Sequence, residues 1–133
     1  MAEPYEYRVQ VRYLEVDQQG VVFNAWYLAY FDDALTGFFE HRGLPYAALM
    51  VEGFDFQVVH TELDWTGGLR FGDDAVVAVE VGHLGTTSFS LMFEVRRAGA
   101  AVCTGRSVYV CIATDGSGKR PLPPAVREAL TPA

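Results

Sequence analysis

The run "NAWYLAYFDDALTGFFEH", residues 24–41, constrains the fold of this chain more than any other segment. Tyr27, Phe31, Ala34, Leu35 and Phe38 recur at helical spacing. Ala25, Trp26, Leu28 and Ala29 carry the apolar surface around much of the remaining circumference. A helix of this kind is expected to be buried on most sides, so the rest of the chain has to wrap it. Asn24 is placed as its N-cap. His41 and Arg42 suit the negative end of the helix dipole, Gly43 suits the C′ position, and Pro45 blocks continuation.

What surrounds this helix reads as strands. Residues 5–13 alternate strictly, with Tyr5, Tyr7, Val9, Val11 and Tyr13 on one face and Glu6, Arg8, Gln10 and Arg12 on the other. Four further strands are expected at residues 54–65, 75–84, 87–97 and 100–114, the last two joined by a hairpin turn at "RAGA". A short helix or loop is expected at residues 46–52, and a closing helix at 124–130 with Pro in its first turn. A strand, one buried helix and four strands on short connections make an α+β fold, with one mostly antiparallel sheet against one helix. The 133 residues are expected to form a single domain, 1–133. Such a monomer leaves strand edges and apolar sheet surface open, so self-association is expected.

Charge narrows the partners. The formal net charge of -7 leaves no basic field for nucleic acid or an anionic membrane surface, and Lys119 is the only lysine. No stretch reaches the length of a membrane span, and "MAEPYEYRV" carries no signal-peptide pattern. Cys103 and Cys111 fall on one face of one predicted strand, roughly 26 Å apart at about 3.3 Å per residue, too far for a disulfide. They read as free buried thiols, and the chain is expected in a reducing cytoplasm. His41, His60 and His83 show no metal-ligand spacing, and His60 is expected to face solvent. Neither a G-x-S-x-G nucleophile motif nor a phosphate-binding loop occurs. Neither metal nor redox cofactor is expected.

The chemistry is concentrated in "VDQQG", just ahead of the helix. Asp17 can attack a carbonyl or act as general base on water. The helix start seven residues on can stabilise an oxyanion, because its first N–H groups are unpaired and its dipole favours negative charge. Gly20 lets the loop bend without a Cβ in the way of a ligand. Taken alone, an Asp before a helix is more often a turn former. Asp32 and Asp33, rival carboxylates on the helix, read as solvated-face or interface residues.

The pattern of Asp17, Gly20, Val21, Val22, Phe23 and Tyr27, followed by "YLAYFDDA", "GLP", "LRFGDDAVVAVEV" and "LGTTSFSLMFEV", resembles the hotdog-fold acyl-CoA thioesterases over residues 7–130. The nearest groups are the 4-hydroxybenzoyl-CoA thioesterases and the Tol-Pal-associated short-chain acyl-CoA thioesterases. The resemblance implies a five-stranded antiparallel sheet wrapped around a long helix. It implies two subunits sharing one continuous sheet with active sites at their interface, as a homodimer or a homotetramer built as a dimer of dimers. It implies hydrolysis of an acyl-CoA or acyl-carrier-protein thioester, with Asp17 as catalytic carboxylate and the backbone N–H of Asn24 polarising the carbonyl. Gly20, Val22, Phe23 and Tyr27 would lie at the acyl group.

The chain departs from these groups at two places. The Tol-Pal-associated relatives commonly carry His where this chain has Asn24. Relatives often carry Arg or Lys in the turn that reads "GTTSF" here, so Thr87 and Ser88 would meet the CoA end without charge, with Arg96, Arg97, Lys119 or Arg120 as possible phosphate partners. Two alternatives stay open: a non-catalytic acyl-CoA-binding module, and a hydratase or dehydratase. The second is disfavoured because no His lies between residues 17 and 27.

Overall fold

The alternation of residues 5–13 becomes a strand only as far as Gln10. In the computed structural model, which describes residues 4–132, strand β1 is Tyr5–Gln10. Val11 is still buried, and its N–H donates to the Asp73 carbonyl at 3.0 Å. The chain then turns through a short 3-10 segment, Tyr13–Glu15. Tyr13 therefore does not share the buried face expected of it. It is 80% exposed and meets Phe71 edge-on at 5.8 Å.

After this come α1 (Trp26–His41), α2 (Tyr46–Val51), β2 (Phe54–Trp65), β3 (Asp74–Leu84), β4 (Ser88–Arg97), β5 (Ala100–Ala113) and α3 (Pro124–Leu130). The five strands form one antiparallel sheet in the order β1-β3-β4-β5-β2. This is the architecture that the resemblance implied. Ala98 and Gly99, with φ of 50° and 80°, make the tight β4–β5 hairpin at "RAGA".

Helix α1 seats on one face of the sheet through Tyr27, Tyr30, Phe31, Ala34, Phe38 and Phe39, all buried. Phe31 stacks on Phe93 of β4 with centroids 4.4 Å apart and planes 7° apart. Phe39 packs against Phe56 of β2 and Phe89 of β4, and Phe38 against Tyr5 of β1. The ring of Phe31 fits because β5 has no side chain at Gly105: a Cβ there would lie 2.5 Å from Phe31 Cε2. The helix is not buried on most sides. Leu28, at 41% exposure, lies on an open face with Asp32, Asp33, Thr36 and Glu40, because the sheet of this chain covers only one side of it.

Cys103 and Cys111 are free and buried on that same helix-facing side of β5. His60 is exposed and lies 3.3 Å from Glu62. The sheet has two edges, and they differ. Strand β1 is six residues long and β2 is twelve, with a register shift at Val58–His60 that leaves Val58 and Val59 half exposed.

Candidate active site

The Asp17 loop is a closed structure of residues 15–23. At its base the Phe23 N–H donates to the Glu15 carbonyl at 2.9 Å, and Val16 and Val22 form a bridge. At its tip the Asp17 N–H donates to the Val21 carbonyl at 2.9 Å, and the Gly20 N–H to the Asp17 carbonyl at 3.0 Å. Gly20 takes φ of +81°, a conformation that a side chain would strain. The loop is pinned to the segment before β3 by the Val22 N–H, which donates to the Leu69 carbonyl at 2.8 Å. The Asp17 carboxylate is half-buried, and its Oδ1 accepts the Gln19 N–H at 2.8 Å. Its other oxygen accepts no hydrogen bond from the described residues. Arg70 reaches over the loop, with Nη1 3.8 Å from where a Cβ on Gly20 would stand.

Asn24 does not cap the helix. The N-cap is Ala25, itself in helical geometry, and no side chain caps it. The entry is a tightened turn: the Trp26 N–H donates to Phe23 and the Leu28 N–H to Ala25, each through the backbone. This consumes the N–H groups of Trp26, Tyr27 and Leu28. Those of Asn24 and Ala25 find no acceptor among the described residues. Two unpaired donors thus stand at the positive end of α1, eight residues or fewer from Asp17. An anionic oxygen is the group such donors suit.

The other residues expected here divide by burial. Phe23 is half exposed on the rim. Val22 and Tyr27 are buried beneath the loop, and Tyr27 meets Tyr30 edge-on at 5.7 Å, so both side chains pack under the site. Thr87 and Ser88 are not near the loop. They follow β3, whereas the loop contacts the residues before β3, and eleven strand residues at about 3.3 Å each separate the two ends by roughly 36 Å.

Reading the sequence missed two groups. The first surrounds Glu15, which is 3% exposed. Its Oε1 accepts the Arg12 backbone N–H at 3.0 Å and the Tyr30 hydroxyl at 2.7 Å, and its Oε2 accepts the Arg12 Nε–H at 2.8 Å. Burial pushes this carboxyl up, but the hydrogen bonds from Arg12 and Tyr30 outweigh it and hold the group below the usual carboxylate range. Burial, with Glu15 alongside, pushes the Tyr30 phenol up. The second group is at the "GTTS" turn, where Arg127 of α3 donates to the Gly85 carbonyl at 2.7 Å. Arg120 and Lys119, both expected from the sequence as phosphate partners, reach the same end of the sheet through the Arg120 N–H to Cys111 and the Lys119 bridge to Ile112. Arg96 is engaged with Glu94 and Glu6 and Arg97 with Asp73, away from that turn. The one sequence sign of the first group was an Arg and a Glu three apart beside a tyrosine-rich helix.

Asp32 lines a concavity of about 260 Å³ between α1, α2 and β2, with Phe39, Tyr46 and Asp55. Burial, and Asp33 beside it, push its carboxyl up. Among the described residues, no cluster of three or more His, Cys, Asp or Glu is arranged to hold a metal ion, and no helix is long and apolar enough to cross a membrane.

The model of the thioesterase-like superfamily matches residues 11–130. An acyl-CoA thioester hydrolase of Escherichia coli is 29% identical over 84 residues, 63% of each chain. The crystal structure of a protein of Aquifex aeolicus matches with a TM-score of 0.92 at 23% identity, over 96% of this chain and 100% of that one. That of a 1,4-dihydroxy-2-naphthoyl-CoA thioesterase from Synechocystis matches with a TM-score of 0.86 at 23% identity, over 95% and 94%. At these identities the two structures establish a shared fold.

Proposed function

The chain belongs to the thioesterase-like superfamily, and from that premise we propose that it hydrolyses an acyl-CoA thioester to the free acid and CoA, with Asp17 as the catalytic carboxylate. The observation that carries the reading is the pairing in one short segment of the half-buried Asp17, in the loop, with two unpaired N–H donors, Asn24 and Ala25, where the loop runs into α1. In the reaction a carbon–oxygen bond forms at the thioester carbonyl, from the Asp17 carboxylate or from a water that Asp17 deprotonates. The carbonyl oxygen takes up the negative charge against the Asn24 and Ala25 N–H groups and the α1 dipole. Collapse of the adduct expels the CoA thiolate. On the direct-attack route, water then hydrolyses the acyl–Asp17 anhydride. The relative named as an acyl-CoA thioester hydrolase supports the choice of leaving group.

The complete site is built by two subunits. Strand β2 is the long edge with exposed valines, so an antiparallel β2–β2 pairing about a two-fold axis would cover it and extend the sheet. A two-fold there swaps the ends of the sheet. It would bring the partner's "GTTS" turn to the end that holds the Asp17 loop. Thr87, Ser88, Lys119, Arg120 and Arg127 would then receive the CoA phosphates, with charge supplied by α3 and the segment before it. Phe23, at the base of the loop, would line the acyl group, with Gly20 leaving room for it.

The test is thiol release from a panel of aliphatic and aryl CoA thioesters, with the same acyl groups on a carrier protein. Turnover of CoA thioesters is expected. Turnover of carrier-linked thioesters alone would move the substrate to the carrier class. Binding without turnover across the panel would refute the hydrolase reading.

A further inference from the structure

We propose that Glu15 is a positioning residue for the Asp17 loop: its buried carboxylate ties the base of the loop to helix α1, so that the carboxylate of Asp17 and the N–H groups of Asn24 and Ala25 are held as one unit. This rests on the hydrolase reading given above.

The connections run through named atoms. Glu15 is the first residue of the closed loop, and its carbonyl accepts the Phe23 N–H that shuts it. Its side chain does not enter the loop. It turns away from solvent and accepts the hydroxyl of Tyr30, itself 3% exposed, one turn into α1. α1 is the helix whose N-terminus bears the unpaired donors. Arg12 supplies the remaining contacts, through both its backbone and its side chain, and its guanidinium lies 5.8 Å from the ring centroid of Trp26, the first residue of α1. Loop, the turn that precedes it and helix thus converge on one carboxylate. A bare carboxylate so buried would be costly, and the three hydrogen bonds it receives are charge-assisted and directional. The Tyr30 bond is the one that crosses to α1 and loses strength if the loop rocks against the helix, while the two Arg12 bonds hold the carboxylate in place to receive it. Catalysis by preorganised donors is sensitive to displacements of this kind, of an ångström or less.

Glu15→Gln tests the inference with shape retained. The amide keeps one oxygen for Tyr30 but sets an NH2 donor against the Arg12 Nε–H donor. The expected result is a kcat lower by about 10- to 100-fold with KM within about threefold, since the alignment of the carboxylate with the N–H donors matters most in the transition state. Tyr30→Phe should shift kcat in the same direction, and the double variant should be no worse than Glu15→Gln alone, because both cut one connection. Hydrogen exchange gives a readout that needs no turnover. The Asp17, Gly20 and Phe23 amides should exchange at least tenfold faster in either variant, while β3 to β5 keep their protection. Unchanged kcat, or unchanged exchange in the loop, overturns the proposal. A loss of stability with kcat intact would reduce Glu15 to a purely structural part. If Glu15→Gln is silent while Asp17→Asn is inactive, the positioning role fails and the hydrolase reading stands. If wild type and both variants release no thiol, the hydrolase reading fails, and the exchange data decide the positioning role alone.

Discussion

Gly105→Ala tests whether helix α1 is seated as described. The added Cβ would stand 2.5 Å from Phe31 Cε2, 2.7 Å from Cζ and 3.0 Å from the Glu62 carbonyl. Carbon atoms rest in contact at about 3.5 Å, so the ring has to retreat by about 1 Å. It has little room to move, because the ring is stacked on Phe93 at 4.4 Å and the side chain is 1% exposed. Overpacking of this kind costs about 1–3 kcal/mol, against a gain of about 0.5–1 kcal/mol from replacing Gly by Ala in a strand. The net effect is destabilising. Unfolding entropy of about 2.1 cal/mol/K per residue over 133 residues converts each kcal/mol to about 4 °C in Tm. Urea and thermal melts at fixed protein concentration should show the loss, with Tm falling by up to about 10 °C. Phe31→Leu in the same background should restore part of it, giving a coupling of about 1 kcal/mol in the double-mutant cycle. A Gly105→Ala protein that melts at or above the wild type would refute the packing of α1 on β5.

Two further outcomes follow from the same coordinates. The Glu15 carboxyl is held below its usual range in the folded protein, so its contribution is complete above the unfolded value of about 4.3 and is lost as pH falls through the folded value. The stability difference between wild type and Glu15→Gln should therefore be level from about pH 7 to pH 5 and shrink below about pH 4, read from urea midpoints; a difference that persists on acidification would contradict the assignment. Val59→Lys places a charge on the exposed β2 edge and should weaken self-association by at least tenfold, about 1.4 kcal/mol, in sedimentation velocity, with thiol release falling in parallel; an unchanged association constant would place the interface elsewhere.

Most of the fold was legible because its signals are local. Residues 54–65 are β2 and residues 124–130, with Pro in the first turn, are α3, with the expected bounds. The end of β1 was not legible, because Tyr13 continues the alternation in composition while the chain turns away after Val11. Asn24 looked like a cap because its residue type favours one, yet a tightened backbone turn begins the helix at Ala25 and leaves the Asn24 N–H unpaired. The apolar circumference of α1 overstated its burial; Leu28 lies on the open face. In the candidate site, Asp17 and Gly20 were singled out through the resemblance, since spacing to the helix alone leaves a turn former as the commoner reading. Glu15 could not be singled out, since its importance comes from Tyr30, fifteen residues away and one helix over. Arg127 was hidden for the same reason: only the fold brings α3 to the Gly85 turn.

The central claim is that Asp17 performs the chemistry. Asp17→Asn keeps the size of the side chain and an oxygen for the Gln19 N–H, while removing the charge. With the best CoA thioester of the panel at saturating concentration, thiol release by this variant should fall at least 100-fold below the wild type, the scale of a lost general base or nucleophile, with substrate still bound. Turnover within a few-fold of the wild type, in a variant that folds and associates normally, would contradict the account.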